Sequence, residues 1–254
     1  SLGDWAVISG LPGALKSKYP KLKFALPSKN YLKTTVGNVI GQWGYGSNDP
    51  LDYIDYIFKN NPYIDYRFEV GDFDSIFTDH ERAYTDDLNI PLVEQILLRF
   101  GFTQEELKNI DSRPNLFFDQ DEIPNPEFKK EYGCLLFATR IDKLKGKWDD
   151  KYLLEEARKY KDTPVYYYSE FELKDTEWDE LFPIRYNFAD RNLNLRQQMI
   201  IKSRAKFNIG YQAGINDAIS RFSNNIVLTP YDDIKENIIR GVNYIHLNGI
   251  KNKI

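Results

Sequence analysis

Short runs of consecutive apolar residues alternate along this chain with stretches whose apolar positions recur every three to four residues. The pattern is clearest in the second half. Gly133 to Ala138, Val165 to Tyr168, Ile184 to Phe188, Lys206 to Ile209, Asn225 to Leu228 and Val242 to Leu247 read as strands. Between them, Asp150 to Tyr160, Leu193 to Ser203 and Asp232 to Arg240 carry helical spacing, and Glu170 to Glu180 is polar and partly helical. Strands that alternate in this way with helices predict βαβ units and parallel sheets.

The first half follows the same logic. Trp5, Ile8, Leu11 and Leu15 form a helical stripe that ends near Lys18-Tyr19-Pro20, with Asp4 where an N-cap belongs and Pro12 where the helix must bend or restart. Lys23 to Leu26 and Asp65 to Val70 read as strands, and Leu116 to Phe118 as a further short one. Ser28 caps a short helix reaching about Thr34, and Asp52 to Lys59 is helical by pattern. Pro91 opens a helix with Val93, Ile96, Leu97 and Phe100 inside and Gly101 as its stop, and Thr103 with Glu106 makes a capping box for the next one. Val36 to Asp49 and Gly71 to Asn89 are long polar loops. The acidic, proline-bearing stretch Asp119 to Lys130 reads as a hinge, which divides the chain into a domain over 1–122 and another over 123–254. Two Rossmann-like halves of this kind place the default ligand site in the cleft between them, outside the carboxyl ends of the strands.

Composition narrows the function classes. With 34 basic and 38 acidic side chains the net charge is −4, so no nucleic-acid surface is expected. Cys134 is the sole cysteine and sits in an apolar run, so it reads as core in a reducing, cytoplasmic setting. No apolar run approaches the roughly 20 residues of a membrane span, which leaves peripheral contact at the inner face of a membrane open. The 18 Tyr and 16 Phe follow a bias toward Lys, Asn, Ile, Tyr and Phe through the whole chain rather than a sugar-stacking platform. Two histidines and one cysteine cannot build a typical zinc site. No Gly-x-Gly-x-x-Gly follows a predicted strand, which argues against a dinucleotide oxidoreductase.

One stretch carries candidate chemistry. Lys206 to Ile209 is β-compatible, Gly210 and Gly214 punctuate a turn, and Ile215, Ala218, Ile219 and Phe222 then fall on one helix face. A strand–turn–helix unit of this type aims backbone N–H groups and the positive end of a helix dipole at one spot, which suits a phosphate. Any α/β protein has several such turns, so the motif alone does not decide the matter.

Three stretches in order resemble the heptosyltransferase-like (family 9) glycosyltransferases. Leu2-Gly3-Asp4, with the helix through Leu11-Pro12 and Ala14-Leu15-Lys16 into Tyr19-Pro20, is similar to the start of that family. Ala138-Thr139-Arg140, followed by Lys147-Trp148, resembles the start of its C-terminal domain. Ala205-Lys206-Phe207-Asn208-Ile209-Gly210 with Gln212-Ala213-Gly214 resembles its donor loop. The correspondence spans nearly the whole chain. It departs where the family's Asp-Thr-Gly reads Gln212-Ala213-Gly214 and its following His reads Asp217. The family's first strand should precede Gly3, so a segment upstream of Ser1, or a strand supplied otherwise, is expected.

The resemblance implies a GT-B fold and a hexosyl- or heptosyl-transferring enzyme. Such an enzyme moves a sugar from a nucleotide-diphosphate sugar to a glycan or glycolipid hydroxyl, with inversion and without an essential metal or other cofactor. It implies Asp4 as general base. It further implies a donor site of Gly3, Thr139, Arg140, Lys147, Glu170, Gly210, Gln212, Ala213 and Gly214. His80 and Arg82 either touch the acceptor or are plain surface. Two other readings stand beside it: a nucleotide-sugar-binding module that has lost its chemistry, and a sugar-nucleotide epimerase of the same architecture.

Overall fold

A computed structural model describes residues 2–31, 52–69, 90–122, 124, 131–137, 150–169, 176–222, 224–229 and 239–247. The two long loops expected at Val36 to Asp49 and Gly71 to Asn89, and the helix expected from Asp232, lie outside the described residues except for Ile239 and Arg240. The chain divides into two compact units, Ser1–Asp119 with Lys235–Arg240, and Gln120–Ile234 with Gly241–Ile254.

In the first unit, α1 (Leu2–Ile8) and α2 (Leu11–Lys18) are separate helices. Pro12 sits in the first turn of α2, where its missing N–H costs nothing, so the chain restarts there. Gly10 makes the corner: a Cβ on it would meet the backbone oxygens of Ser112 and Arg113 at 2.6 and 2.5 Å. Asp4 is not the N-cap, because α1 already begins at Leu2 and Asp4 is its third residue. Trp5 of α1 packs edge-on against Phe58 of α3 (Tyr53–Phe58), with ring centroids 6.0 Å apart. Two short strands, β1 (Ala25–Pro27) and β2 (Tyr66–Phe68), pair in parallel with Leu26 opposite Arg67.

Helix α4 (Leu92–Arg99) buries Val93, Ile96 and Leu97 as its spacing predicts, and Gly101 ends it at φ +82°. The capping box at Thr103 opens α5 (Gln104–Lys108) with both reciprocal bonds present. Leu116 to Phe118 is not a strand. The amide before it, Asn115 N–H, donates to Ser9 Oγ at 2.9 Å, and the Phe117 ring packs against Tyr63. Arg240 belongs to this unit, where its Nε lies 2.7 Å from buried Glu94 Oε1, which also accepts from Ser112 Oγ at 2.9 Å.

The second unit holds six parallel strands. They are β3 (Gly133–Leu136), β4 (Val165–Tyr168), β5 (Arg185–Asn187), β6 (Phe207–Tyr211), β7 (Asn224–Thr229) and β8 (Asn243–His246), in the order β5-β4-β3-β6-β7-β8. Counted from β3, that is 3-2-1-4-5-6, the doubly wound Rossmann-like order. The central strands β3 and β6 are buried along nearly their whole length because both faces are covered, while the edge strand β5 is only half-buried. On one face Leu135, Phe137, Phe207, Ile209, Ile226 and Leu228 meet Leu153, Leu154 and Ala157 of α6 (Asp150–Ala157). Trp178 and Leu181 of α7 (Thr176–Leu181) close that layer. On the other face Cys134 and Tyr166 meet Ile201 of α8 (Leu195–Ser203), which a capping box of Asn194 and Gln197 opens. Cys134 is core, as its run suggests, and burial pushes its thiol up to about 12.

Two cations are buried with α8. Arg196 grips Glu122 through Nε and Nη2, both at 2.8 Å, which ties the first turn of the second unit to the helix. Lys202 is only 1% exposed, and burial lowers its pKa from the ordinary 10.5, with the neighbouring Cys134 thiol as a smaller opposing influence. The unfolded chain therefore holds the lysine proton more tightly than the folded one, and stability should rise with pH as 10.5 is approached from below. Lys202→Met is expected to stabilise the protein by on the order of 1 kcal/mol at neutral pH. The gain should shrink toward zero as the pH is raised to the ordinary lysine value. Urea denaturation of both proteins at pH 7 and near pH 10 checks the size and the trend.

Candidate functional site

The sheet order creates one point where the chain departs in opposite directions. From β3 it leads through α6 to β4, over one face. From β6 it enters α9 (Gly214–Ala218), which lies over the face that α8 covers. β3 and β6 are hydrogen-bonded neighbours, with Leu136 opposite Gly210. In folds of this strand order, ligands are taken outside the carboxyl ends of the strands at such a point.

Gln212, Ala213 and Gly214 follow β6 at that point. Gln212 N–H donates to Leu228 carbonyl at 3.0 Å, which prolongs the ladder to β7 by one residue. Its side-chain Oε1 accepts from Thr229 Oγ1 at 3.1 Å, and Thr229 is completely buried. Ala213 is the N-cap of α9, extended at φ −159° and ψ 147°. Its carbonyl accepts from Asn216 and Asp217 N–H at 2.9 and 3.2 Å. Helices usually start on Ser, Thr, Asp or Asn, whose side chains cover the first amides. An alanine there supplies no such cover, so the opening turn of α9 has no side-chain cap.

Gly210 is not in this turn. It lies within β6, paired with Leu136 on one side and Val227 on the other. The turn signal was misplaced because a glycine inside a strand also marks close approach of its neighbours. A Cβ on Gly210 would stand 2.6 Å from Leu136 Cβ and 3.0 Å from Asn216 Nδ2, the amide that donates to Tyr211 carbonyl. Helix α9 is also shorter than its spacing suggested. It ends at Ala218, turn bonds follow through Ser220 and Phe222, and Phe222 is 38% exposed instead of facing the core. Asp217, where the resembled family has His, is buried in α9.

Gly3 and Asp4 are adjacent in the first turn of α1. Thr139, Arg140, Lys147, Glu170, His80 and Arg82 lie outside the described residues. In sequence the first three follow β3 and Glu170 follows β4. Thr229 is a neighbour of the turn that the sequence reading missed. The available signal was a polar β-branched residue ending an apolar parallel strand beside β6. A hollow of about 410 Å³ lies elsewhere, at the β4–β5 edge, lined by Tyr167, Arg185, Tyr186, Asn187, Asp190 and Arg191. Its cations are engaged, Arg185 with Asp179 and the Phe182 carbonyl, and Arg191 over the Tyr186 ring at 4.4 Å. The fold's ligand-binding geometry is at the switch point, two strands away.

Gly210→Ala should cost roughly 1–3 kcal/mol of stability, since the added methyl meets Cβ and backbone rather than a movable side-chain end. Urea titration of the variant measures it, and a loss within error would show that β3 and β6 can separate slightly at no cost.

No family model matches the chain, and no curated protein matches it in sequence. Among solved structures the chain is similar to the crystal structure of the glycosyl transferase family 9 from Veillonella parvula, with a TM-score of 0.56 and 9% sequence identity. The match covers 100% of this chain and 86% of that one. At that identity the likeness establishes architecture: the chain has an α/β fold of GT-B type with parallel sheets.

Proposed function

We propose that this protein is a glycosyltransferase that takes its sugar from a nucleotide-diphosphate donor and passes it to a hydroxyl of a glycan or glycolipid. One observation carries the reading. In a fold of GT-B type, the turn that resembles a donor loop stands at the switch point of the Rossmann-like sheet. An uncapped helix start beside a strand end suits the oxygens of a diphosphate.

The chemistry asks for few groups. The acceptor oxygen forms a bond to the anomeric carbon as the bond to the diphosphate oxygen breaks on the opposite face, which inverts that carbon. The acceptor proton goes to a carboxylate, for which Asp4 is the candidate, and the departing diphosphate takes the bond electrons. Arg140 and Lys147 are the candidates for meeting its charge, with Thr139 adding a hydroxyl bond. Gly3, Gln212, Ala213 and Gly214 would supply close backbone and amide contacts, with Gly210 packed beneath them. Glu170 would reach the ribose or base, and His80 and Arg82 would serve the acceptor. No metal is required by this scheme.

A second reading follows from the residues themselves. Ala213 and Asp217 stand where the resembled family carries a hydroxyl and an imidazole, so a module that binds the donor without transferring it would look the same. Turnover separates the two.

Thermal unfolding should be followed with ADP, GDP, UDP and CMP and their sugars, with and without EDTA. One nucleoside diphosphate is expected to stabilise the protein regardless of chelator, by roughly 2.7 kcal/mol at about 100 times its dissociation constant. With the sugar donor so identified, Asp4→Ala should fold normally and lose transfer by about 10²–10⁴-fold, while Arg140→Ala should mainly weaken donor binding. Undiminished turnover in Asp4→Ala would sink the base assignment. A folded protein that no nucleotide stabilises would sink the donor site.

A further inference from the structure

Between Asp4 and Asp49 the chain carries six lysines, at 16, 18, 21, 23, 29 and 33, with no acidic residue and no arginine. Four of them crowd the end of α2 and the stretch that leads from it into β1. Leu22 N–H closes a turn there on Tyr19 carbonyl at 3.0 Å, and every residue from Tyr19 to Lys23 is exposed. The acids that reach this corner come from elsewhere in the chain. Asp65 takes Lys16 at 2.7 Å and Lys23 at 3.6 Å, and Glu106 takes Lys18 at 2.9 Å. Two carboxylates therefore face four ammonium groups. Lys21 has no partner among the described residues, and Lys23 keeps 72% of its side chain in solvent.

The same corner exposes apolar surface. Of the five large apolar or aromatic side chains most exposed among the described residues, three belong to it: Tyr19, Leu22 and Tyr66. Tyr66 follows Asp65, and both donate their N–H to Phe24 carbonyl, next to Lys23. Tyr19 is held at the surface by its hydroxyl, which donates to Phe100 carbonyl at 2.6 Å. An exposed leucine alone would mean nothing, but apolar side chains interleaved with unneutralised lysines make an amphipathic patch.

We propose that the corner formed by Tyr19 to Lys23 with Tyr66 is where this protein rests on an anionic lipid bilayer. The lysines meet the headgroup charge, and Leu22 and the tyrosine rings lie at the boundary between headgroups and acyl chains. Nucleic acid would use the same charge, but Leu22 offers it nothing. Arginine, whose planar fork suits nucleic-acid phosphates, is also missing from the whole stretch. Contact of this kind stays at the surface, and no helix among the described residues is long and apolar enough to cross a membrane. Taken with the transferase reading above, on which this one step rests, a bilayer contact selects a glycolipid over a free glycan as the acceptor. The contact itself does not depend on that reading.

Co-sedimentation of the full chain with vesicles of phosphatidylcholine, alone or mixed with phosphatidylglycerol, tests this. Binding is expected only with the anionic lipid and should fade as salt is raised. Lys21→Ala combined with Lys23→Ala, both at exposed positions, should weaken it roughly thirtyfold, about fivefold for each lysine. Leu22→Ser should weaken it roughly threefold to tenfold by removing the apolar contact. Lys159→Ala, at an exposed lysine of the other unit, should leave it unchanged. Equal binding with and without the anionic lipid, no binding of the wild-type protein, or undiminished binding of the double variant would overturn the proposal. Capture by a single-stranded RNA and not by the vesicles would overturn it too, in favour of a nucleic-acid surface. None of these outcomes touches the donor site, which fails separately if no nucleotide stabilises the protein.

Discussion

The pairing of β3 with β6 is the contact on which the second unit depends, and two glycines interlock it. Gly133 of β3 stands opposite Phe207, whose ring fills the space a Cβ would need, at 2.0 Å from its ideal position. Three residues on, Gly210 of β6 stands opposite Leu136, whose Cβ fills the corresponding space at 2.6 Å. The first lock lies on the sheet face with α6 and the second on the face with α8 and α9. A slip of one residue would bring a side chain against a side chain on both faces and turn every apolar residue to the wrong layer. The same register sets where β6 ends relative to β3, and so the position of the turn that follows it. Packing and site geometry are one constraint here.

Buried charge is treated in two ways around α8. Arg196 spans to Glu122 with a planar fork that satisfies both carboxylate oxygens, so its desolvation is offset by two charge-assisted bonds. Lys202, six residues later, is buried with only a weak favourable influence from the Cys134 thiol, whose own pKa burial raises. A buried point charge is disfavoured in such surroundings, which is why its pKa falls. The arginine holds the chain entry of the unit in place, while burial of the lysine disfavours its charged form. Its carbonyl is used, accepting from Asn208 Nδ2 at 3.0 Å in the layer above β6.

Elements set by strong local physics were legible in the sequence. Val165 to Tyr168 is a strand over those very residues, the helix after Pro91 buries Val93, Ile96 and Leu97 while Phe100 is its half-buried C-cap, and the box at Thr103 closes as written. What failed was decided by tertiary partners. Leu116 to Phe118 has the composition of a strand, but the Asn115 amide beside it is held by Ser9, a hundred residues upstream. Gly210 looked like punctuation because a sequence cannot show that Leu136 needs its missing side chain. Phe222 has helical spacing from Ile215, yet α9 stops before reaching it. Of the candidate site, the turn at Gln212 to Gly214 was readable as strand, turn and helix. Thr229 was not, since its relation to Gln212 exists only through the β6–β7 register.

That register also explains how this turn can depart from the family it resembles and still keep its shape. The path of the turn is set by main-chain bonds: Gln212 to Leu228 at the ladder's end, then Ala213 carbonyl to Asn216 and Asp217. None of these depends on the side chains at 212 or 213. Side-chain identity is therefore free to vary without moving the backbone, and what varies is the hydrogen-bonding character of the turn. Replacing a carboxylate by a carboxamide would ordinarily leave that character undefined, because an amide can turn either end outward. The Thr229 hydroxyl one strand away can donate to Oε1 or accept from Nε2, so it holds the side chain in place without choosing which end turns outward. The path of the turn is thus set by the strand beside it, while its chemistry is left to the side chains that line it.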